Sequence, residues 1–419
     1  MKKTFLTDDV KINVLGILIS FFILSSTLTT PWILKVFFYV LTLIGLVSFT
    51  GFTNFLKDGI SNYYPYLIFI LVCILSYVLL PSYNHQISDS PQIENIISLF
   101  ILFVFLIGVN TYYLQIMEIL VLVTSVFLLV SLPVHFFYYE SSLLSATAFF
   151  SHFDQETLSN KNTFGVFLSI LLPFAIYRFS QKINIYNYLT VMLFYISIFY
   201  IFSRASLILS ILVTIFFLAS GRKNFFKASS ISIVSILILL FVFQISPSRY
   251  NQLKHDSNQQ VIEHNYRPND VKDLPLIKDT KTFSKESARF KYIKLSYQGF
   301  LDKPFLGHGI TTFRRNNSQV DEKGNIIRNP VTHNDYAQVL YELGLLGIIS
   351  FLYLFIFNII RIYKKTSLKS DESIIILIQL ITFAVSLSSG NYLDHALFWT
   401  VMALTLTNKN FTINNNGIR

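Results

Sequence analysis

The sequence predicts an all-α polytopic membrane protein, and three observations predict it. Of its 419 residues, 53% are apolar and only 13% charged, about half the roughly 25% charge of an ordinary soluble domain. Twelve stretches are apolar over a length close to the about 20 residues that a bilayer-crossing helix needs. Lys and Arg gather in alternate connections between those stretches, as the positive-inside rule expects. A chain so poor in charge cannot cover the surface of a soluble body of this size, which argues against a cytosolic enzyme and against a nucleic-acid partner.

The apolar stretches lie near 12–30, 32–50, 63–80, 93–109, 115–138, 162–178, 186–202, 205–220, 229–245, 336–358, 373–390 and 392–407. The first follows Met1-Lys2-Lys3 without a small-residue cleavage site, so it reads as a retained helix and not as a signal peptide. If the N-terminus is cytoplasmic, that side collects fifteen Lys and Arg, whereas the short connections opposite hold only Lys161 and Arg204. Both termini are therefore expected in the cytoplasm. Lys35 stands near a helix end, where its stem can snorkel. Cys73 is the one cysteine, so the fold cannot depend on an intramolecular disulfide.

Four regions follow: nine spans over 1–245, one large outer loop over 246–335 containing short helices, three spans over 336–407, and an Asn-rich cytoplasmic tail over 408–419. Connections as long as that loop usually carry function. It holds fifteen basic and ten acidic residues, an excess suited either to an anionic ligand or to anionic lipid headgroups.

Within the loop, Phe290, Ile293, Tyr297 and Phe300/Leu301 recur every three or four residues, which predicts an amphipathic helix over Phe283–Leu301. Its apolar side can lie on the membrane or pack on the bundle. Arg289 is its candidate functional residue, because a guanidinium grips phosphate oxygens in a two-pronged fork that lysine lacks. A surface arginine on a basic helix is the plainer alternative.

Pro304-Phe305-Leu306-Gly307-His308-Gly309 reads as a shaped turn, with two glycines around His308. Thr332-His333-Asn334-Asp335-Tyr336 opens a strongly helical run, and Thr332 or Asn334 can cap it. His333 then stands at a helix N-terminus, where the dipole disfavours imidazolium and keeps the ring fit to accept a proton. A histidine that only caps or makes an interface contact is the alternative. Gln338 and Glu342 continue a polar stripe from Asp335, and acidic groups at such depth rarely face lipid. Gly344 and Gly347 follow as a pair of small residues three apart, as easily explained by close helix packing as by a site.

A second polar cluster, Ser203-Arg204-Ala205-Ser206, joins the seventh and eighth stretches. It binds either lipid phosphate or a substrate diphosphate. Asp154 to Asn162 adds polar groups, Asn160 and Asn162 among them, on the same side of the membrane. Walker loops, dinucleotide fingerprints, zinc-spaced His/Cys groups and nucleophile elbows are absent from the sequence, so no cofactor and no metal are expected. The energy for a reaction must then arrive with the substrate, as in an activated lipid-linked donor.

These residues resemble the O-antigen ligase and polymerase superfamily of bacterial membrane glycosyltransferases. The resemblance rests on Asn160-Lys161-Asn162, Ser203-Arg204-Ala205, Arg289, Gly307-His308-Gly309, and His333-Asn334-Asp335-Tyr336 with Gln338, Leu340, Glu342, Gly344 and Gly347. These are spread in order over residues 154–350. It implies a GT-C-like fold in the bacterial inner membrane with a periplasmic active site. It also implies inverting, metal-independent transfer of a glycan from undecaprenyl diphosphate to an acceptor hydroxyl. Carried over residue by residue, His333 acts in catalysis and Arg289 and Arg204 bind the diphosphate. Asn160, Asn162, Ser203, His308, Asn334, Tyr336, Gln338 and Glu342 are expected to bind substrate.

Most similar is the ligase, which joins the glycan to a lipid A core sugar. The alternatives are a polymerase or a protein O-oligosaccharyltransferase using the same donor class. The short connection 139–161 favours the ligase over the first, and the short chain end favours it over the second. A transporter is disfavoured because the middles of the stretches are nearly free of charge and no inverted repeat is seen.

Overall fold

The computed structural model describes residues 8–27, 32–50, 52–79, 112–138, 161–201, 204–219, 230–231, 234–235, 288–310, 312–317, 319–320, 326–328, 332, 334–363, 372–386 and 396–404. Among them the regular secondary structure is helical apart from one short antiparallel ladder, β1 Gln319–Val320 paired with β2 Ile326–Arg328. That ladder is a small departure from an all-α chain. The helices are α1 Asp8–Thr27, α2 Trp32–Thr50, α3 Phe52–Leu79, α4 Tyr113–Tyr138, α5 Lys161–Gln181, α6 Ile185–Ile201 and α7 Arg204–Ala219. They continue with α8 Ala288–Asp302, α9 Thr312–Asn317, α10 Asp335–Tyr363, α11 Glu372–Ser386 and α12 Ala396–Leu404.

Helices stand over ten of the twelve apolar stretches. The stretch 93–109 and most of 229–245 lie outside the described residues, as do 246–287 of the loop and the tail 408–419. Among the described residues, three helical segments are long and apolar enough to cross a membrane: Tyr113–Leu132, Phe164–Gln181 and Asp335–Phe357. Shorter apolar helical segments accompany them at Val10–Ser26, Ile33–Ser48, Tyr64–Leu79, Ile185–Phe199 and Ala205–Ala219. This is a helical membrane protein. One boundary differs clearly from the hydropathy reading, because α3 starts at Phe52 and not near residue 63. Its first turns carry Asn54, Lys57 and Asp58, which depress hydropathy without preventing helix.

α5 is the centre of the packing, touching α4, α6, α7 and α11. Some 83% of its apolar window is buried inside the protein, against 44% for α4, as expected of a helix that is apolar on every side. Leu168, Leu171 and Leu172 are fully buried there. A second centre is aromatic. Phe351 and Phe355 of α10 meet Phe398 of α12, while Phe69 of α3 meets both Phe351 and Trp399. Edge-to-face and offset pairs of this kind bury large area and fix the mutual rotation of the helices.

Several hydroxyls on these helices return to their own backbone, a partner at hand where the apolar surroundings offer no water. Ser20 donates to Gly16 O at 2.6 Å and Thr382 to Ile378 O at 2.7 Å. Ser169 of α5 also lies 3.3 Å from Ser206 O of α7, so the N-terminal parts of these two helices run side by side.

Candidate functional site

The site is built around a break in α10. At Gly344 the backbone takes φ 63 and ψ −154, a conformation that only glycine adopts without strain. In an uninterrupted helix the N–H groups of Leu345 and Leu346 would donate to the carbonyls of Tyr341 and Glu342. Here the turn 304–309 takes all four groups. Leu345 N donates to Pro304 O at 2.7 Å and Leu346 N to Phe305 O at 3.2 Å. In return His308 N donates to Tyr341 O at 3.0 Å and Gly309 N to Glu342 O at 2.9 Å. These four backbone groups are thus satisfied, as an apolar setting demands.

This arrangement corrects the packing explanation for Gly344. A Cβ there would stand 2.7 Å from Gly307 N and from Phe305 C and O, so the glycine is required by the turn and not by another helix. Gly307, with φ 68, faces it: a Cβ on Gly307 would come within 2.5 Å of the Glu342 carbonyl. Gly347 lies against its own neighbour Leu343 across the break.

His308 sits in this turn, half-buried. Its Nε2 is 2.9 Å from Gly299 O of α8, and its ring stacks on Tyr341 with centroids 4.5 Å apart. A carbonyl only accepts, so Nε2 carries the proton and the neutral ring offers Nδ1 as an acceptor. Burial lowers the His308 pKa below its ordinary value, against the raising effect of the bond to Gly299 O. Gly299 is what permits the approach, since a Cβ there would run into the Tyr341 ring. Tyr341 also packs edge-on against Phe313, receives a bond from Asn316 Nδ2 at 3.0 Å, and shares a buried cluster with Tyr292.

Below the turn runs a buried polar chain. Glu342, fully buried, accepts from Phe313 N in the first turn of α9 and from Gln338 Nε2, both at 3.2 Å. Gln338 Oε1 lies 3.4 Å from Thr332 Oγ1, which also meets Asn334 O at 3.0 Å. Asn334 caps α10, its Oδ1 accepting from Ala337 N at 2.9 Å. Of the two capping candidates, Asn334 is the cap, and Thr332 holds the Asn334 backbone through its hydroxyl. Asp335 is buried beside them.

The structure therefore brings together His308, Asn334, Gln338 and Glu342 around one turn. Tyr336 points elsewhere, donating to Phe383 O of α11 at 2.8 Å and packing on Phe351. His333, Ser203 and Asn160 lie outside the described residues. Asn162, Arg204 and Arg289 are placed by their backbone alone: each falls within the first two residues of its helix, α5, α7 and α8 respectively. Sequence reading missed Gly299, Asn316, Thr332's hydroxyl bridge and the Tyr341 cluster in which Phe313 takes part. The available signal was the set of glycines 307, 309 and 344 beside one aromatic-rich helix entry.

No curated protein matches this chain. Residues 189–352 match the family model described as O-Antigen ligase. The match spans α6, α7, α8, the Gly307–Gly309 turn and the first part of α10, and it begins after Asn160 and Asn162. The resemblance read from the sequence is thereby shown, and the segment that holds the buried turn is the one similar to the O-antigen ligase family.

Proposed function

We propose that this protein transfers a glycan from undecaprenyl diphosphate to a hydroxyl of a lipid A core sugar. It does so at the periplasmic face of the inner membrane, as an O-antigen ligase. In this reading about twelve spans carry a periplasmic loop over 246–335, and both termini are cytoplasmic. The observation that carries it is the family match over residues 189–352, which coincides with the turn spliced into α10.

His333 is the general base. It follows Thr332 and precedes the Asn334 cap in sequence, and a helix N-terminus disfavours the imidazolium form. The acceptor oxygen forms a bond to the anomeric carbon while the bond from that carbon to the diphosphate oxygen breaks on the opposite side, which inverts configuration. The hydroxyl proton passes to His333, and the electron pair leaves with the diphosphate. Arg204 and Arg289 take up the charge growing on that leaving group. Their positions in the first turns of α7 and α8 support this role, because a helix N-terminus favours an anion. The reaction so written calls on no metal. Asn160, Asn162, Ser203 and His308 contact substrate, Asn334, Gln338 and Glu342 hold the start of α10 that follows the base, and Tyr336 anchors that start to α11 through Phe383 O.

Purified protein in liposomes, given undecaprenyl diphosphate-linked glycan and core-only lipopolysaccharide, tests the proposal when the products are resolved by gel and mass spectrometry. Glycan on the lipid A core, reduced about 1,000-fold in His333→Ala, is expected. Longer glycans still on undecaprenyl diphosphate would make the protein a polymerase, and transfer to neither acceptor would overturn the ligase reading. Arg289→Lys is expected to lose donor affinity, since lysine cannot form the two-pronged contact.

A further inference from the structure

We propose that α8 lies along the membrane surface and inserts into lipid the apolar side that it turns away from the protein. The sequence periodicity marked Phe290, Ile293, Tyr297 and Leu301 as one side of this helix. In the structure that side is the outward one: these four residues and the adjacent Phe305 are between 38% and 69% exposed. The opposite side does the packing. Tyr292, Ser296 and Gly299 are buried, with Tyr292 against Phe313 and Gly299 against Tyr341. At about 100° per residue the four outward side chains fall within roughly 80° of arc, a narrow stripe and not a scatter of surface apolar residues.

Two features identify lipid as the occupant. The stripe is continuous with a lipid-facing surface, because Pro304 O and Phe305 O accept from Leu345 N and Leu346 N of α10. From that point α10 exposes Leu345, Leu346, Ile349, Ile356 and Ile360 along a helix apolar enough to span the bilayer. α8 therefore joins the span where its own lipid-facing stripe begins, at the depth of an interfacial helix. Charge agrees with this placement. Lys291 and Lys294 are exposed at one edge of the α8 stripe, where their stems can run along the apolar surface and their ammonium groups can reach lipid phosphates. The inference is independent of the reaction proposed above.

The test uses full-length protein in liposomes, in a Cys73→Ala background, with an NBD fluorophore on Leu301→Cys, on Phe290→Cys or on Gln298→Cys. Blue-shifted emission quenched by nitroxide on an upper acyl carbon, and not by aqueous iodide, is expected at 301 and 290. Gln298, exposed beside the stripe, is expected to be reached by iodide. Iodide quenching at all three positions, or lipid quenching at 298 equal to that at 301, would overturn the proposal. So would shielding from both quenchers that varies with the protein-to-lipid ratio, since a second copy of the chain would then cover the stripe.

Discussion

α5 and α10 are both apolar helices long enough to span a membrane, yet they treat a backbone defect in opposite ways. α5 carries Pro173, which has no N–H to donate, and the helix continues through it. It is packed on all sides, and Ser169 returns its hydroxyl to Gly165 O at 2.9 Å. α10 carries Gly344, and there the helix breaks. The break is filled by the 304–309 turn, whose four hydrogen bonds replace two lost from the helix. Packing alone builds α5; a polar seam builds the first part of α10. The comparison teaches that the 304–309 turn is part of a span's own hydrogen-bond ladder, and is not a loop laid over it.

Putting a side chain into the break is the harshest way to test that contrast. Gly344→Ala combines a strained dihedral with overlap against the backbones of Phe305 and Gly307, and is expected to cost about 4 kcal/mol. Gly45→Ala in α2 is the counterpart in an ordinary helix, where a Cβ meets only the ends of Leu15 and Leu18 at 3.3–3.4 Å. That change is expected to shift stability by less than about 1 kcal/mol. Thermal unfolding in detergent, followed by tryptophan fluorescence, compares the two.

Removing the carboxylate beneath the turn comes next. Glu342→Ala leaves Phe313 N and Gln338 Nε2 buried without this acceptor, an expected loss of about 3 kcal/mol. Glu342→Gln keeps an acceptor oxygen and is expected to recover part of it, so the order of melting temperatures should be Glu, then Gln, then Ala. Equal melting of the Gln and Ala variants would show that charge, not the acceptor, holds the seam. Asn334→Ala removes the cap from α10 and is expected to cost about 1 kcal/mol, read in the same melts.

The smallest effect concerns pH. Because the His308 pKa is lowered in the folded protein, the unfolded chain binds the proton first as pH falls. The stabilising contribution is therefore complete above the ordinary value of 6.5 and declines as pH falls through that value towards the folded one. Wild type is expected to lose more stability between pH 7.5 and pH 5.5 than His308→Gln, compared by melting at both values.

Much of this was legible in sequence, and the exceptions have physical causes. Hydropathy located the described helices other than α8 and α9, because apolar length is what a bilayer selects. It cut α3 short at its polar first turns, which are helical without being apolar. The spacing of Phe290, Ile293, Tyr297 and Leu301 gave the right stripe on α8 but could not say what covers it, since periodicity fixes a side and not its neighbour. The polar stripe Asp335, Gln338 and Glu342 was visible, and it is buried. Its long-range partners were not visible: Phe313 lies 29 residues from Glu342, and local pattern carries no information about such pairing. Gly344 was misread for the same reason, because its need for glycine comes from a turn 35 or more residues earlier in the chain.

The most direct test of the spliced turn is amide hydrogen exchange on the protein in liposomes, read on peptides covering 304–310 and 341–347. The four inter-segment bonds predict that the amides of His308, Gly309, Leu345 and Leu346 are protected, and that Gly344→Ala releases all four together while α5 stays protected. Rapid exchange of His308 and Gly309 in the unaltered protein, at the rate of a free loop, would contradict the account.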